Sequence, residues 1–146
     1  MKITNLYKNC MGDGVKLDIS FAGCEHKCPG CYVPELWDPT FYPDWSEQYI
    51  HREINKLEKF VDGFNLLGGD PLYPDNKKDT LKLIQHLKQY NKPITLFTGY
   101  NRKEIKQDEI KEKVFQLCDT IITGRYYKDK RSNGRIGSYN QKIWQK

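Results

Sequence analysis

The chain reads as an α/β protein built on a curved, mostly parallel sheet that forms a partial, open βα barrel. Three observations predict this. Short apolar runs alternate with amphipathic ones in the order strand, helix, strand, helix, strand, helix, strand, the pattern of βαβ units on a parallel sheet. At 146 residues the chain can bury one core but falls well short of the roughly 250 residues of a closed eight-unit barrel. Three marked segments each follow a predicted strand, at the carboxyl edge where parallel α/β sheets bind ligands. Right-handed crossovers would curl such units. Residues 1–146 are expected to form a single domain.

The elements follow in order. Val15, Leu17, Ile19 and Phe21 alternate with Lys16, Asp18 and Ser20, a period-two strand. Pro34, Pro39 and Pro43 punctuate an irregular stretch through Trp45. Asp44 or Ser46 then caps a helix whose Tyr49, Ile50, Ile54 and Leu57 share one face. Phe64 to Leu67 is a short apolar run ending in Gly68-Gly69, the shape of a buried strand. Leu81, Ile84, Leu87 and Lys88 belong to a second amphipathic helix, and Ile94 to Phe97 forms the next strand after Pro93. Ile105 to Leu117 supports a third helix with Ile110, Val114 and Leu117 inward. Thr120 to Ile122 is a last strand, stopped by Gly124.

The first strand leads into Cys24, Cys28 and Cys31, spaced C-x3-C-x2-C. Thiolates are the soft ligands that iron–sulfur clusters use. Three of them hold three irons of a cubane 4Fe-4S cluster and leave the fourth iron without a ligand from the run. An unligated iron is a place for substrate chemistry. Zinc on the three cysteines plus His26 is the competing reading, because Cys3His is an accepted zinc set. Gly68-Gly69-Asp70-Pro71-Leu72 follows the second strand. Its glycines allow close backbone approach, and its carbonyls and carboxylate are acceptors, although the same residues also make ordinary turns.

The run Gly23-Cys24-Glu25-His26-Lys27-Cys28-Pro29-Gly30-Cys31-Tyr32 resembles the cluster loop of the radical S-adenosylmethionine (radical SAM) superfamily. The resemblance narrows over Asp13-Gly14, Trp37, Gly68 to Pro74, Thr98-Gly99-Tyr100, Gly124-Arg125-Tyr126 and Gly137-Ser138-Tyr139-Asn140-Gln141 before Trp144. Together these are similar to the activating proteins of anaerobic (class III) ribonucleoside-triphosphate reductases.

That resemblance implies a fold of the radical SAM type. It also implies a 4Fe-4S cluster on Cys24, Cys28 and Cys31, with S-adenosylmethionine as the second cofactor. Reductive cleavage of S-adenosylmethionine then produces a glycyl radical on the reductase. The implied contacts to S-adenosylmethionine are Gly30, Cys31, Tyr32, Gly68, Gly69, Asp70 and Thr98. Asp70 belongs to a Gly-Gly-Asp motif that binds the amino group, Tyr32 packs on the adenine or presents its backbone to it, and Thr98 faces the ribose or carboxylate. The chemistry rests on the cofactors, so no catalytic side chain is named. His26 either shields or hydrogen-bonds the cluster, or is an exposed loop residue without a role. Implied partners are the large reductase subunit, through its glycine loop, and a low-potential electron donor such as a flavodoxin. A radical SAM enzyme acting on a small molecule, of the carboxy-deazaguanine synthase kind, is the alternative. Departures from the family pattern lie late in the chain. Thr123 stands where an acidic residue is common, and Ile136 where an arginine is, with Arg135 one place earlier.

Composition is ordinary for a soluble protein on the polar side, with 38% hydrophobic and 29% charged residues. No apolar stretch is long enough to span a membrane, and Met1 to Asn5 has no signal-peptide core. A cytoplasmic location is expected. Five cysteines, three on one loop, do not make a secreted disulfide framework. Cys10 and Cys118 are expected to be small buried hydrophobes. The net charge of +5 concentrates late, where Arg125, Lys128, Lys130, Arg131, Arg135, Lys142 and Lys146 face only Asp129. No nucleic-acid motif accompanies these charges, so they read as a solvated end and nucleic acid is not an expected partner.

Overall fold

Four parallel strands lie side by side in the order in which the chain makes them. They are β2 (Lys16–Phe21), β3 (Gly63–Gly68), β4 (Ile94–Thr98) and β5 (Thr120–Thr123). Two further strands, absent from the sequence reading, add antiparallel edges: β1 (Ile3–Asn9) beside β2, and β6 (Lys142–Gln145) beside β5. The six-stranded sheet is therefore open and mostly parallel, in keeping with a partial barrel. The computed structural model describes residues 1–10, 14–134 and 136–146. Asp13, part of the family resemblance, and Arg135, named with the departures from it, lie outside the described residues.

Register aligns one apolar row across the sheet. Ile19 faces Leu66, Leu66 faces Leu96, and Leu96 faces Ile121; all four are 0% exposed. Burying side chains of this size contributes about 1.5–3 kcal/mol each, so the row is a large part of what holds the strands in register. The helices α1 (Glu47–Leu57), α2 (Lys77–Leu87), α3 (Arg102–Lys106) and α4 (Glu109–Leu117) supply the opposing surface. Ile50, Ile54, Leu83, Ile84, Leu87, Ile105 and Val114 join the strands in one core. Residues of the opposite strand phase, Leu67, Phe97 and Ile122, look instead onto a cavity at the carboxyl edge.

Local chemistry sets the helix boundaries. Ser46 rather than Asp44 caps α1, its hydroxyl accepting from the Tyr49 amide at 3.1 Å; Asp44 instead holds the N-terminal ammonium at 2.6 Å. The expected Ile105–Leu117 helix is two helices. Asp108 interrupts it because its carboxylate caps α4, accepting from the amides of Ile110 and Lys111 at 3.0 Å, and Lys77 of α2 holds that carboxylate at 2.5 Å. An Asn101–Glu104 capping box starts α3.

Cys118 is buried as expected, but Cys10 is exposed. The expectation for Cys10 is corrected by β1, an edge strand that carries the residue out beyond its last pairing with β2 at Asn9 and Lys16. No helix among the described residues is long and apolar enough to cross a membrane.

Candidate functional site

The three marked segments converge. Cys24, Cys28, Cys31 and Tyr32 line a cavity of about 260 Å³ together with Gly68, Gly69, Thr98 and Gly99. β2, β3 and β4 deliver these groups at their carboxyl ends, and Gly124 after β5 completes the wall. A broader groove of about 720 Å³ flanks the other side of the loop, lined by Trp37, Phe41, Tyr42 and Tyr73. It contains only Cys24 of the three cysteines, so the thiol chemistry belongs to the smaller cavity.

Backbone bonds stitch the cysteine loop into the sheet edge. Gly23 donates to the Leu36 carbonyl at 2.7 Å and Cys24 to that of Trp37 at 3.1 Å, while Gly69 and Asp70 donate back to Phe21 and Gly23 at 2.8 Å. This close approach explains the glycine pair. A Cβ on Gly69 would stand 2.6 Å from the Gly23 carbonyl oxygen, and one on Gly68 2.5 Å from the Phe21 nitrogen, with Gly68 at φ +111°. The glycines thus let β2 and β3 end side by side beneath the cavity. Asn76 adds a tie that sequence reading missed, its buried amide donating to the Ala22 carbonyl at 2.7 Å and to that of Asp70 at 3.3 Å. Its only sequence signal is a Pro-Asp turn ahead of a helix.

Asp70 is fully buried and is the hub of the edge. Its carboxylate accepts from the amides of Leu72 (2.8 Å) and Gly99 (2.9 Å) and from the Thr98 hydroxyl (2.9 Å). His26 Nε2 lies 2.6 Å away. The Thr98 side chain is thereby committed to Asp70 and, as acceptor, to the Tyr100 amide at 3.2 Å. His26 is not an exposed loop residue, since its side chain is 2% exposed. It sits edge-on to the Tyr100 ring at 4.4 Å.

Tyr100 and Arg125 fall inside segments of the family resemblance, but sequence alone gave them no role. The Tyr100 hydroxyl donates to Glu25 of the cysteine loop, and Lys111 stands over its ring at 3.4 Å. Burial, then the bond to Glu25, raises the Tyr100 phenol far above its usual range. Arg125 donates to the Gly99 carbonyl at 2.9 Å and forks onto Glu104. Two members of the first cysteine interval, Glu25 and His26, are therefore each held by a residue at another strand's end.

At the mouth, Tyr32 is 63% exposed. It faces the Tyr126 ring at 5.3 Å and Arg131 at 5.5 Å. Gly30, at φ +79°, packs against the Lys128 side chain. Of the late basic residues, Arg125 is thus paired, whereas Lys128, Lys130 and Arg131 are exposed, Lys128 beside Gly30 and Arg131 beside Tyr32 at this mouth.

The donor set suits iron and sulfide. All three cysteines are free and half-buried. Burial pushes the Cys24 thiol up to about 11, opposed chiefly by the His26 amide and reinforced by the Asp70 charge; a strongly polarising cation takes such a proton. Cys31 sulfur accepts from the Val33 amide at 3.5 Å, the kind of contact that tunes cluster potentials. His26 Nδ1 is buried with no hydrogen-bond partner among the described residues, and its residue lines the same cavity as the three cysteines. Among the described residues, no three His, Cys, Asp or Glu side chains are gathered as for a single ion. In a cluster each thiolate takes a different iron, whereas zinc needs its ligands on one centre.

Comparison with known proteins agrees. A family model described as a 4Fe-4S single cluster domain matches residues 10–144. The chain is 34% identical over 137 residues to the anaerobic ribonucleoside-triphosphate reductase-activating protein of Enterobacteria phage T4, covering 91% of this chain and 85% of that protein. The protein of the same name from Escherichia coli (strain K12) is 31% identical over 139 residues, covering 90% and 89%.

Proposed function

Since this chain belongs to the family of anaerobic ribonucleoside-triphosphate reductase-activating proteins, we propose that it is a radical SAM activase. It cleaves S-adenosylmethionine reductively with a 4Fe-4S cluster and leaves a glycyl radical on the large subunit of an anaerobic ribonucleoside-triphosphate reductase. The carrying observation is one cavity walled by three free thiols on one side and strand-end glycines on the other. Cys24, Cys28 and Cys31 would hold the cluster, which would supply the electron for reductive cleavage of S-adenosylmethionine and so the oxidising power to make a glycyl radical on the partner.

The chain's own residues bind and orient. Cys24, Cys28 and Cys31 would each ligate an iron of the cluster. Gly30, Cys31, Tyr32, Gly68, Gly69 and Thr98 form the S-adenosylmethionine bed, with Asp70 beneath it. The mouth, bordered by Tyr32 and Tyr126, admits the partner's glycine loop, and the open sheet leaves room for a macromolecule. A low-potential donor such as a flavodoxin reduces the cluster. The cytoplasm, a reducing compartment, suits an oxygen-labile centre.

The test is electron paramagnetic resonance on anaerobically reconstituted protein with reductant, S-adenosylmethionine and the reductase. A glycyl radical signal is expected. An intact cluster that cleaves S-adenosylmethionine yet yields no such signal refutes the activase reading and leaves a small-molecule substrate to be sought. Cys28→Ala is expected to lose its iron, about four atoms per chain in the parent.

A further inference from the structure

The interval from Cys24 to Cys28 is wound against ordinary backbone preference. Lys27 has φ +50°, in the left-handed region that L side chains disfavour. Across the same interval the amides of His26 and Lys27 bond toward the Cys24 sulfur. Backbone held in such a region persists only where its surroundings over-determine it.

The hold comes from outside the run. Tyr100, just beyond the end of β4 and 4% exposed, sends its hydroxyl to Glu25 across 75 positions of sequence. Its ring is braced in turn. The His26 ring stands edge-on at 4.4 Å, and the ammonium of Lys111, on α4, lies 3.4 Å from the ring centroid. Lys111 is 8% exposed and makes no ion pair among the described residues. A buried lysine is rarely left so. The face of an aromatic ring attracts a cation, more strongly where water is excluded. The cation also draws density from the ring, which strengthens the hydroxyl as a donor.

We propose that Tyr100 is a positioning residue for the cluster loop: by holding the Glu25 side chain, with Lys111 bracing its ring, it keeps the His26 and Lys27 amides aimed at the Cys24 sulfur. Glu25 serves as an acceptor oxygen, and its charge is not required. The consequence rests on the function proposed above. Donors aimed at a ligand sulfur stabilise the added negative charge of a reduced cluster and so raise its potential.

The test begins from Glu25→Gln, which keeps an acceptor oxygen and removes the charge. In the metal-free chain, amide hydrogen exchange at residues 25–27 is expected to match the parent in Glu25→Gln. It is expected to quicken about 3- to 10-fold in Glu25→Gln/Tyr100→Phe, the range for one lost hydrogen bond. Phenylalanine keeps the ring and its contacts with His26 and Lys111, so a role in packing alone predicts no change. Lys111→Met is expected to quicken the same amides less, and to add nothing once Tyr100→Phe is present. In the reconstituted protein, redox titration followed by electron paramagnetic resonance is expected to give a lower cluster potential for Glu25→Gln/Tyr100→Phe than for Glu25→Gln. Comparing these two removes the carboxylate's own charge from the measurement.

Equal exchange in Glu25→Gln and Glu25→Gln/Tyr100→Phe overturns the positioning role. Faster exchange in Glu25→Gln itself overturns the claim that an acceptor oxygen suffices. Additive effects of Lys111→Met and Tyr100→Phe overturn the bracing by Lys111. Quickened exchange with an unchanged potential overturns the link to the cluster. A parent that assembles no 4Fe-4S cluster overturns the function proposed above together with that link, and the exchange comparison on metal-free protein still decides the positioning role.

Discussion

Replacing Asn76 with alanine tests whether the carboxyl edge is held by the side chain that bridges its strands. The Asn76 amide donates to the Ala22 carbonyl at 2.7 Å and to the Asp70 carbonyl at 3.3 Å. Asp70 keeps a second donor, the Tyr73 amide at 3.0 Å. Ala22 keeps none among the described residues, and both Ala22 and Asn76 are buried. An orphaned buried carbonyl costs about 1–3 kcal/mol, and the second, longer bond adds about 0.5–1 kcal/mol. The total is about 1.5–4 kcal/mol. Loss of a helix cap does not compete as an explanation, because the Asn76 side chain makes no capping bond to α2. For a chain of this length the expected fall in melting temperature is roughly 5–12 °C, measured by circular dichroism under anaerobic conditions with reductant. Asn76→Asp, which sets an acceptor against two acceptors, should fall at least as far. A melting temperature within about 2 °C of the parent for Asn76→Ala would refute the claim that this side chain joins the ends of β2 and β3.

Gly69→Ala places its Cβ 2.6 Å from backbone that cannot retreat; a loss of about 2–3 kcal/mol is expected, together with poor iron loading, by denaturant melts and iron analysis. Glu112 accepts two bonds from Arg102, and these hold its carboxyl at about 2, below the ordinary 4.5. A depressed folded-state value means this stability is full above pH ~4.5 and is lost as pH falls toward ~2. Glu112→Gln should therefore flatten the acid limb of stability in that window, by about 1 kcal/mol or less for a partly exposed pair, in melts at stepped pH. Cys118 is 1% exposed, and burial pushes its thiol up to about 12. Brief iodoacetamide treatment of the iron-loaded protein should thus modify Cys10 and spare Cys118, as read by peptide mass spectrometry.

Much of the fold was legible because a parallel strand buried on both faces must be apolar whatever its neighbours. The runs around Phe64, Ile94 and Ile121 announce themselves for that reason, and the strand around Leu17 by its period-two alternation. β1 and β6 did not. Edge strands alternate weakly, and Tyr7, Lys8 and Ile143 are exposed, so their pairing depends on partners already placed by the parallel strands. The split between α3 and α4 was hidden because residues 102–117 contain no Gly or Pro to mark a stop, while the break comes from Asp108 bonding its own following amides.

For the site, the loop carrying Cys24, Cys28 and Cys31 was readable because ligand spacing is a local property. The gathering of Asp70 and Thr98 beside it was implied by their places at strand ends. The pairing of His26 with Asp70 was not, since 44 positions separate them and a histidine between two cysteines reads equally as a ligand or a surface residue. Cys10 misled for the converse reason. Burial is a tendency of cysteine, and the chain's position at a sheet edge overrides it.

The two antiparallel strands also decide how this sheet meets other sheets. Neither rim closes onto the other, so each leaves backbone donors and acceptors facing outward, a standing invitation to fibrous stacking. Lys8 on one rim and Lys142 on the other are exposed. Whichever pair of rims two copies bring together, like charge meets like charge. That repulsion opposes edge-to-edge pairing of two copies and weakens as added salt screens it.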